Sequence, residues 1–266
     1  NWREMKDAPD QSWVTPDEIA EVGANNAMAM DHDSYGNPII AWYNSATDDI
    51  RVGRFLGSVW EISSVLSDVG AVDSIDIYVM RDNGNEIYIV YHSSVTKQLY
   101  LLVEESAKVD SVAGFSSSVI PTVGDSGRNP HIAVTDEGII YVSFYSLTAS
   151  AILLATFDSV WSTDVIDLTG NAGFYNDVSF DPPTGNPCVV YNESNTGTLY
   201  FAKYGEGDWN ITIIDDTGEQ GFYATLSVTP DGQPYVAYQD VTDSNNFHLK
   251  YAVLLNGTWY TSTVNN

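Results

Sequence analysis

The sequence predicts an all-β protein, a β-propeller of five four-stranded antiparallel blades whose ring is closed by terminal strands. Two independent markers repeat with a period of about 50 residues along the 266-residue chain, and such a period is typical of propellers. Tryptophans mark the outer strands at Trp13, Trp60, Trp161, Trp209 and Trp259, with one copy lacking its Trp. A turn glycine recurs at Gly36, Gly84, Gly138, Gly185 and Gly232.

The last copy shows the strands of one blade most clearly. Residues Ala224–Thr229 alternate between apolar and polar side chains, and a tight turn separates them from Pro234–Tyr238. A polar loop leads to Leu249–Leu254, and Asn-Gly precedes the final strand, Trp259–Val264. Four short alternating strands joined by turns predict an antiparallel sheet, which must pack on other sheets because it cannot bury both faces alone.

The same pattern divides the other copies into strands A (innermost), B, C and D (outermost). The A strands are predicted at Ala27–Met30, Ile75–Met80, His131–Thr135, Asp177–Asp181 and Thr225–Thr229, and the B strands at Ile39–Tyr43, Ile87–Tyr91, Tyr141–Tyr145, Cys188–Tyr191 and Tyr235–Tyr238. The C strands begin near Ile50, Leu99, Ile152, Leu199 and Leu249. One domain, 1–266, therefore has blades at about 24–66, 73–120, 129–167, 175–215 and 222–264.

The sequence contains one more outer-strand segment than five blades need. Residues 1–22 include a D-like segment, Trp13–Val22, and Trp259–Val264 fits the same role. One of them completes the last blade and closes the ring, whereas the other packs outside, extends a blade or pairs with a neighbouring chain. An oligomer formed through the surplus strand is therefore possible, and a six-bladed ring that lacks a blade is the alternative.

The charge balance limits the partners. The chain has 36 acidic and 10 basic residues, a formal net charge of −26, so it repels nucleic acids and anionic membranes. No stretch of apolar residues is long enough to predict a membrane span. The chain begins at Asn1 without an initiator Met, which we interpret as a processed product or an excised segment. Together with glycosylation triplets at Asn192, Asn210 and Asn256, this predicts an extracellular or cell-surface protein.

No cofactor is predicted from the sequence. Acidic side chains can hold Ca²⁺, but no string of alternating Asp residues like that of an EF-hand occurs, so Ca²⁺ is kept only as a possibility. The single cysteine, Cys188, lies in an apolar strand and is expected to be a buried, inert thiol.

Ligands usually bind propellers at the face shared by the D–A and B–C connections. The B strands end there in aromatic and polar residues, and two D–A connections share the phrase Gly-Phe-Tyr. Rings stack on sugars and polar groups bind their hydroxyls, although repeated aromatics also serve blade packing. The binding candidates are Tyr43, Asn44, Tyr91, His92, Tyr145, Phe174, Tyr175, Asn192, Phe222, Tyr223, Gln239 and Asp240. We therefore expect a non-enzymatic protein that binds a glycan or an extracellular protein.

Aspartate-and-glycine turns between hydrophobic strands, such as Thr229–Gly232 and His32–Gly36, resemble the sialidase-type repeat families with Asp-box turns. The resemblance covers nearly the whole chain as repeat texture, and the architecture is similar to that of five-bladed lectins. The Asp-box motif itself, Ser-x-Asp-x-Gly-x-Thr-Trp, is not matched. The arginine triad of sialidases is not expected either, because Arg51 and Arg54, two of only five arginines, lie on a C strand.

Two other function classes stay open. A five-bladed glycosidase of the arabinanase type would use carboxylates near the channel, and Asp73, Asp76 and Asp177 are the candidates. The short, similar blades leave little room for the insertions that build such sites, and the four histidines fall at unrelated blade positions. A surface or virion assembly subunit is the third class, favoured if the spare outer strand pairs across chains.

Overall fold

The computed structural model describes residue 19 and residues 27–82, 84–104, 114–243 and 247–264. All regular structure in these ranges is β-strand, organised as five separate four-stranded antiparallel sheets. The predicted five-bladed propeller is confirmed. No helix that could cross a membrane occurs in the described part of the chain.

Each blade is built from four strands that follow one another in sequence. Blade 1 contains β1 (Met28–His32), β2 (Pro38–Asn44), β3 (Asp49–Phe55) and β4 (Trp60–Ser67). Blade 2 contains β5 (Val72–Met80), β6 (Glu86–Ser93), β7 (Gln98–Glu104) and β8 (Phe115–Ile120). Blade 3 contains β9 (Ser126–Val134), β10 (Ile140–Ser146), β11 (Ala151–Asp158) and β12 (Val160–Asp167). Blade 4 contains β13 (Ala172–Phe180), β14 (Pro187–Glu193), β15 (Thr198–Gly205) and β16 (Asp208–Asp215). Blade 5 contains β17 (Phe222–Val228), β18 (Pro234–Asp240), β19 (His248–Leu255) and β20 (Thr258–Thr263).

The last blade is completed by the C-terminal strand, β20, which pairs with β19. The other segment predicted as an outer strand, Trp13–Val22, lies outside the described residues except for Ile19. In the copy without a Trp, Phe115 pairs with Glu104 at the first position of the outer strand, where Trp60 stands in blade 1.

Four inner strands begin earlier than predicted. Strands β5, β9, β13 and β17 carry register shifts near their starts, bulges at which the inner strand has extra residues relative to its partner. The bulge interrupts the apolar–polar alternation, so the pattern revealed only the regular part of each strand. The phrases Gly173–Tyr175 and Gly221–Tyr223, predicted to be loops, lie at these bulges.

The core lies between blades rather than within them. Successive blades share hydrophobic clusters, one each for blades 1 and 2, 2 and 3, 3 and 4, and 4 and 5. Cys188 belongs to the last of these and is a free, buried thiol, as predicted, and burial raises its pKa to about 12.

Candidate functional site

The inner strands surround a cavity of about 770 Å³ at the centre of the blades. Its lining comes from the N-terminal halves of β5, β9, β13 and β17 and from the start of blade 1. The cavity therefore lies on the face predicted to bind ligands, and its volume is typical of small-molecule sites.

The floor of the cavity is formed at one level of the inner strands. Asp76, His131, Asp177 and Thr225 pair with corresponding residues of their B strands, so they occupy the same register in blades 2 to 5. His131 Nδ1 lies 3.5 Å from Asp76 Oδ2 and 3.6 Å from Asp177 Oδ1. The Thr225 hydroxyl donates to Asp177 Oδ2 at 3.0 Å.

Both floor carboxylates also connect neighbouring blades. Asp76 Oδ2 accepts a hydrogen bond from the Ile132 N–H at 3.0 Å, and Asp177 Oδ2 accepts one from the Leu226 N–H at 2.7 Å. Each carboxylate thus has a structural role and keeps an oxygen near the His131 imidazole.

The charges on the floor depend on each other. Burial acts to lower the pKa of His131, but the hydrogen bond to Asp76 and the charges of Asp76 and Asp177 outweigh it and raise the pKa to about 9. Burial raises the pKa of Asp177, and the His131 charge opposes that effect. His131 is therefore a cation at neutral pH, held between two carboxyl groups.

One wall of the cavity is aromatic and is lined by Phe174, Tyr175 and Tyr223, whereas the predicted residue Phe222 contacts Tyr175 without lining the cavity. Phe174 and Tyr175 of blade 4 meet Phe222 and Tyr223 of blade 5, with ring centroids 5.2 Å apart for Phe174 and Tyr175, 5.1 Å for Tyr175 and Phe222, and 4.8 Å for Tyr175 and Tyr223. Tyr223 is 70% exposed, so much of its ring is free for a ligand. Tyr145 contacts the edge of Phe174 and extends the row towards blade 3.

A glycine at the bulge positions each aromatic pair. Gly173 has φ +100° and Gly221 φ +84°, the region that favours glycine. A Cβ on Gly173 would lie 2.4 Å from the Cβ of Ile152, and one on Gly221 would lie 2.7 Å from Leu199 Cδ1. Only glycine lets the bulge lie this close to the preceding blade, which leaves the next two residues at the rim.

The opposite wall is polar. At the positions of the aromatic pairs, blade 2 has Asp73 and Ser74 and blade 3 has Arg128 and Asn129. Asp73, Ser74 and Asn129 line the cavity. Asn129 donates from Nδ2 to the Phe174 carbonyl at 2.7 Å, so the polar and aromatic walls are joined.

Most predicted residues at the ends of B strands have structural roles. Asn44 and Asp240 accept hydrogen bonds from the N–H groups of residues two positions later and so stabilise the B–C turns. Tyr43 is buried and donates to Asp48 Oδ1, and Tyr91 is buried with its ring stacked on Tyr100. None of these four predicted residues lines the cavity.

The remaining predicted residues support the walls. Asn192 is buried and accepts from the Tyr175 N–H at 3.2 Å, and Tyr145 donates to Asn171. Gln239 is half-buried and pairs with Phe222 in the sheet.

His92 stands behind the polar wall. It is buried, and its Nδ1 lies 2.8 Å from Asp73 Oδ1. Burial acts to raise the pKa of Asp73, but the His92 bond and charge lower it below its usual value. Asp73 therefore stays ionised at the cavity edge.

His131 and Thr225 were not predicted as site residues, and the four histidines fall at unrelated positions within their blades. The signal was present in the glycines: His131 follows Gly127 by four residues, as Asp177 follows Gly173 and Thr225 follows Gly221. Among the described residues no group of three His, Cys, Asp or Glu side chains is arranged to hold a metal ion.

Comparisons with solved structures support the fold. No family model and no curated protein matches the sequence. Among solved structures, AofleA from Arthrobotrys oligospora is 15% identical, with a TM-score of 0.64 over 91% of this chain and 72% of that chain. The SapL1 lectin, solved with α-methyl fucoside, is 12% identical, with a TM-score of 0.61 over 92% and 81%. The Aleuria aurantia lectin, solved with Fucα1-6GlcNAc, is 12% identical, with a TM-score of 0.64 over 92% and 80%. At these identities the likeness shows the fold alone.

Proposed function

We propose that this chain is a carbohydrate-binding protein whose central cavity takes a sugar between its aromatic and polar walls. The observation that carries the proposal is the row of Phe174, Tyr175 and Tyr223, which line the same cavity as Asp73, Ser74 and Asn129. A sugar has apolar C–H faces and polar hydroxyl edges, and this cavity offers a surface for each.

Two further observations support it. Similar structures include two lectins solved with fucosides. The carboxylates of Asp73 and Asp76 accept hydrogen bonds, as sugar hydroxyls require, and His131 supplies a donor. The protein would act outside the cell or at its surface, where glycans are found, and its ligand is a glycan rather than a nucleic acid.

A glycan array on the purified chain, with Ca²⁺ or with a chelator, tests the proposal. The sugar bound there is then titrated by calorimetry against Tyr223→Ala and against Tyr235→Ala, a matched control because Tyr235 is also half-exposed on blade 5 but does not line the cavity. We expect Tyr223→Ala to weaken binding by about two- to tenfold, since one aromatic contact is worth about 0.5–1.5 kcal/mol, and the control to leave it unchanged. No binding to any sugar, or equal losses in both variants, contradicts the proposal.

A second candidate is glycoside hydrolysis, favoured by the two floor carboxyl groups. Asp76 and Asp177 both approach the His131 imidazole, and the raised pKa of Asp177 suits a general acid. Turnover of chromogenic glycosides that Asp177→Asn abolishes would support it. Asp31→Asn is the control, because Asp31 makes the same kind of interblade bond, to the Val79 N–H, without lining the cavity.

A further inference from the structure

The faces through which blades pack on one another are equivalent along the chain. In blade 4 the face that meets blade 5 includes Leu199 and Phe201, both buried in the shared cluster. In the sheet Leu199 pairs with Asn192 and Phe201 with Val190. Each blade thus presents one apolar face to the blade that follows it in sequence.

Blade 5 presents the same face without a cover. Leu249 pairs with Gln239 and Tyr251 with Ala237, which places them at the positions of Leu199 and Phe201. Leu249 is 55% exposed and Tyr251 45%, and Tyr235 and Tyr260 beside them are similarly exposed. Exposed apolar patches of this kind are typical of interaction sites.

Blade 1 is uncovered on its opposite face. Met28 and Met30 lie on the inner strand and pair with Trp42 and Ile40 of β2. At the same positions of its inner strand, blade 2 buries Ile75 and Ile77 against blade 1. Met28 is 62% exposed and Met30 68%. Within the described residues no hydrophobic cluster joins blade 5 to blade 1, so the seam between them has two apolar faces of the kind that blades bury elsewhere.

We propose that this seam is the docking site for one further blade of the same repeat, made of three inner strands of that repeat with Trp13–Val22 as the outer strand. A partner that covers the seam must have two apolar faces. Elsewhere in the molecule each such face is covered by a neighbouring blade. Trp13–Val22 has the outer-strand sequence pattern, but the 266 residues contain only five A–B–C sets, all used by blades 1 to 5. This chain covers 80% of the Aleuria aurantia lectin chain, so that similar structure contains residues beyond those matched here.

The first experiment asks whether the seam is uncovered in the 266-residue chain. Leu249→Glu with Tyr251→Glu is compared with Leu199→Glu with Phe201→Glu, the matched pair in the buried interface. We expect the seam variant to keep the parent melting temperature within about 2 °C and the control to unfold, because a buried charge costs several times more than an exposed one. If the seam variant unfolds like the control, the seam is already covered and the proposal is wrong.

The second experiment completes the ring. A copy of residues 168–205, the three inner strands of blade 4 with their linker, is joined after Asn266. We expect a monomer whose melting temperature rises by about 5 °C or more, and deletion of residues 1–22 to remove that gain but change the 266-residue chain little. An unchanged or lower melting temperature overturns the proposal, as does a gain that does not depend on residues 1–22. If light scattering shows that the 266-residue chain is a dimer and that Leu249→Glu with Tyr251→Glu dissociates it, a second copy occupies the seam instead.

Discussion

Replacing Asp215 by Asn should destabilise the protein far more than the same change at Asp167. Both residues end an outer strand, and their Oδ2 atoms accept from a buried tyrosine of the next blade, Tyr238 at 2.7 Å and Tyr191 at 2.9 Å. Asp215 differs because it also accepts from Lys250 Nζ at 2.5 Å. At the position of Lys250, blade 4 has Tyr200, which brings no charge.

The magnitude follows from the charge left behind. Breaking a buried ion pair costs about 3–5 kcal/mol. Lys250 would keep Asp240 Oδ2 at 3.8 Å and Gln220 Oε1 at 3.4 Å, so we expect the lower end, about 3 kcal/mol, for Asp215→Asn. Asp167→Asn keeps an acceptor oxygen for its neutral partners and should cost about 1 kcal/mol. At about 2–4 °C per kcal/mol for a chain of this size, the two melting temperatures should differ by several degrees.

Urea unfolding at neutral pH, followed by tryptophan fluorescence, measures both variants. Lys250→Met in the Asp215→Asn background removes the unpaired cation and should recover part of the loss, and the double-mutant cycle gives the coupling. Equal losses of stability for Asp215→Asn and Asp167→Asn would refute the reasoning.

The pH dependence of the stability is a further check. Although burial acts to raise the pKa of Asp215, its bonds to Lys250, Thr217 and Tyr238 lower it, so its contribution is present above pH about 4 and is lost as the pH falls through the folded-state pKa.

Three other predictions concern the cavity and the core. NMR titration should give His131 a pKa of about 9 that Asp76→Asn lowers, and its stabilising contribution should be complete below pH about 6.5 and disappear as the pH rises through 9; a normal pKa would contradict the floor geometry. Cys188 should react with a thiol reagent only in denaturant, and modification of the folded protein would show that the interface opens. Gly173→Ala should prevent folding, since the added Cβ would lie 2.4 Å from a side-chain carbon of the preceding blade, whereas Gly185→Ala, with φ +71° but open space, should cost about 1 kcal/mol by thermal unfolding; similar losses would contradict the close-approach argument.

The outer three strands of each blade could be predicted from sequence because their alternation is regular. The turn phrases at Gly185-Asn-Pro187 and Gly232-Gln-Pro234 fix where a B strand begins, and β14 and β18 start at those prolines. The inner strands of blades 2 to 5 begin before the predicted positions because a bulge breaks the alternation, as at Gly173 in β13. A bulge depends on how closely the preceding blade approaches, and periodicity within one strand carries no information about that distance.

The candidate site was predicted in part. Asp73, Asp76 and Asp177, predicted near the channel, line the cavity together with Phe174, Tyr175 and Tyr223. The pattern predicts ligand-binding residues at the ends of the B strands, but in the structure most of these side chains stabilise turns, are buried or support the cavity walls. Whether a loop residue faces a cavity or its own turn depends on the packing of two sheets, which a single strand pattern does not specify.

The carboxylate bonds between blades have a direction. Asp31, Asp76 and Asp177 each accept a hydrogen bond from a backbone N–H of the blade that follows, so the earlier blade provides the carboxylate in each of these bonds. In such an array each blade is stabilised by its interfaces with its neighbours, as in other repeat proteins. Local unfolding should therefore start at blades 1 and 5 and reach blade 3 last. Amide hydrogen exchange would then be slowest at the centre of the sequence and fastest at its two end blades. The chain would behave less like one rigid ring than like a row of coupled units whose cooperativity increases with every blade added.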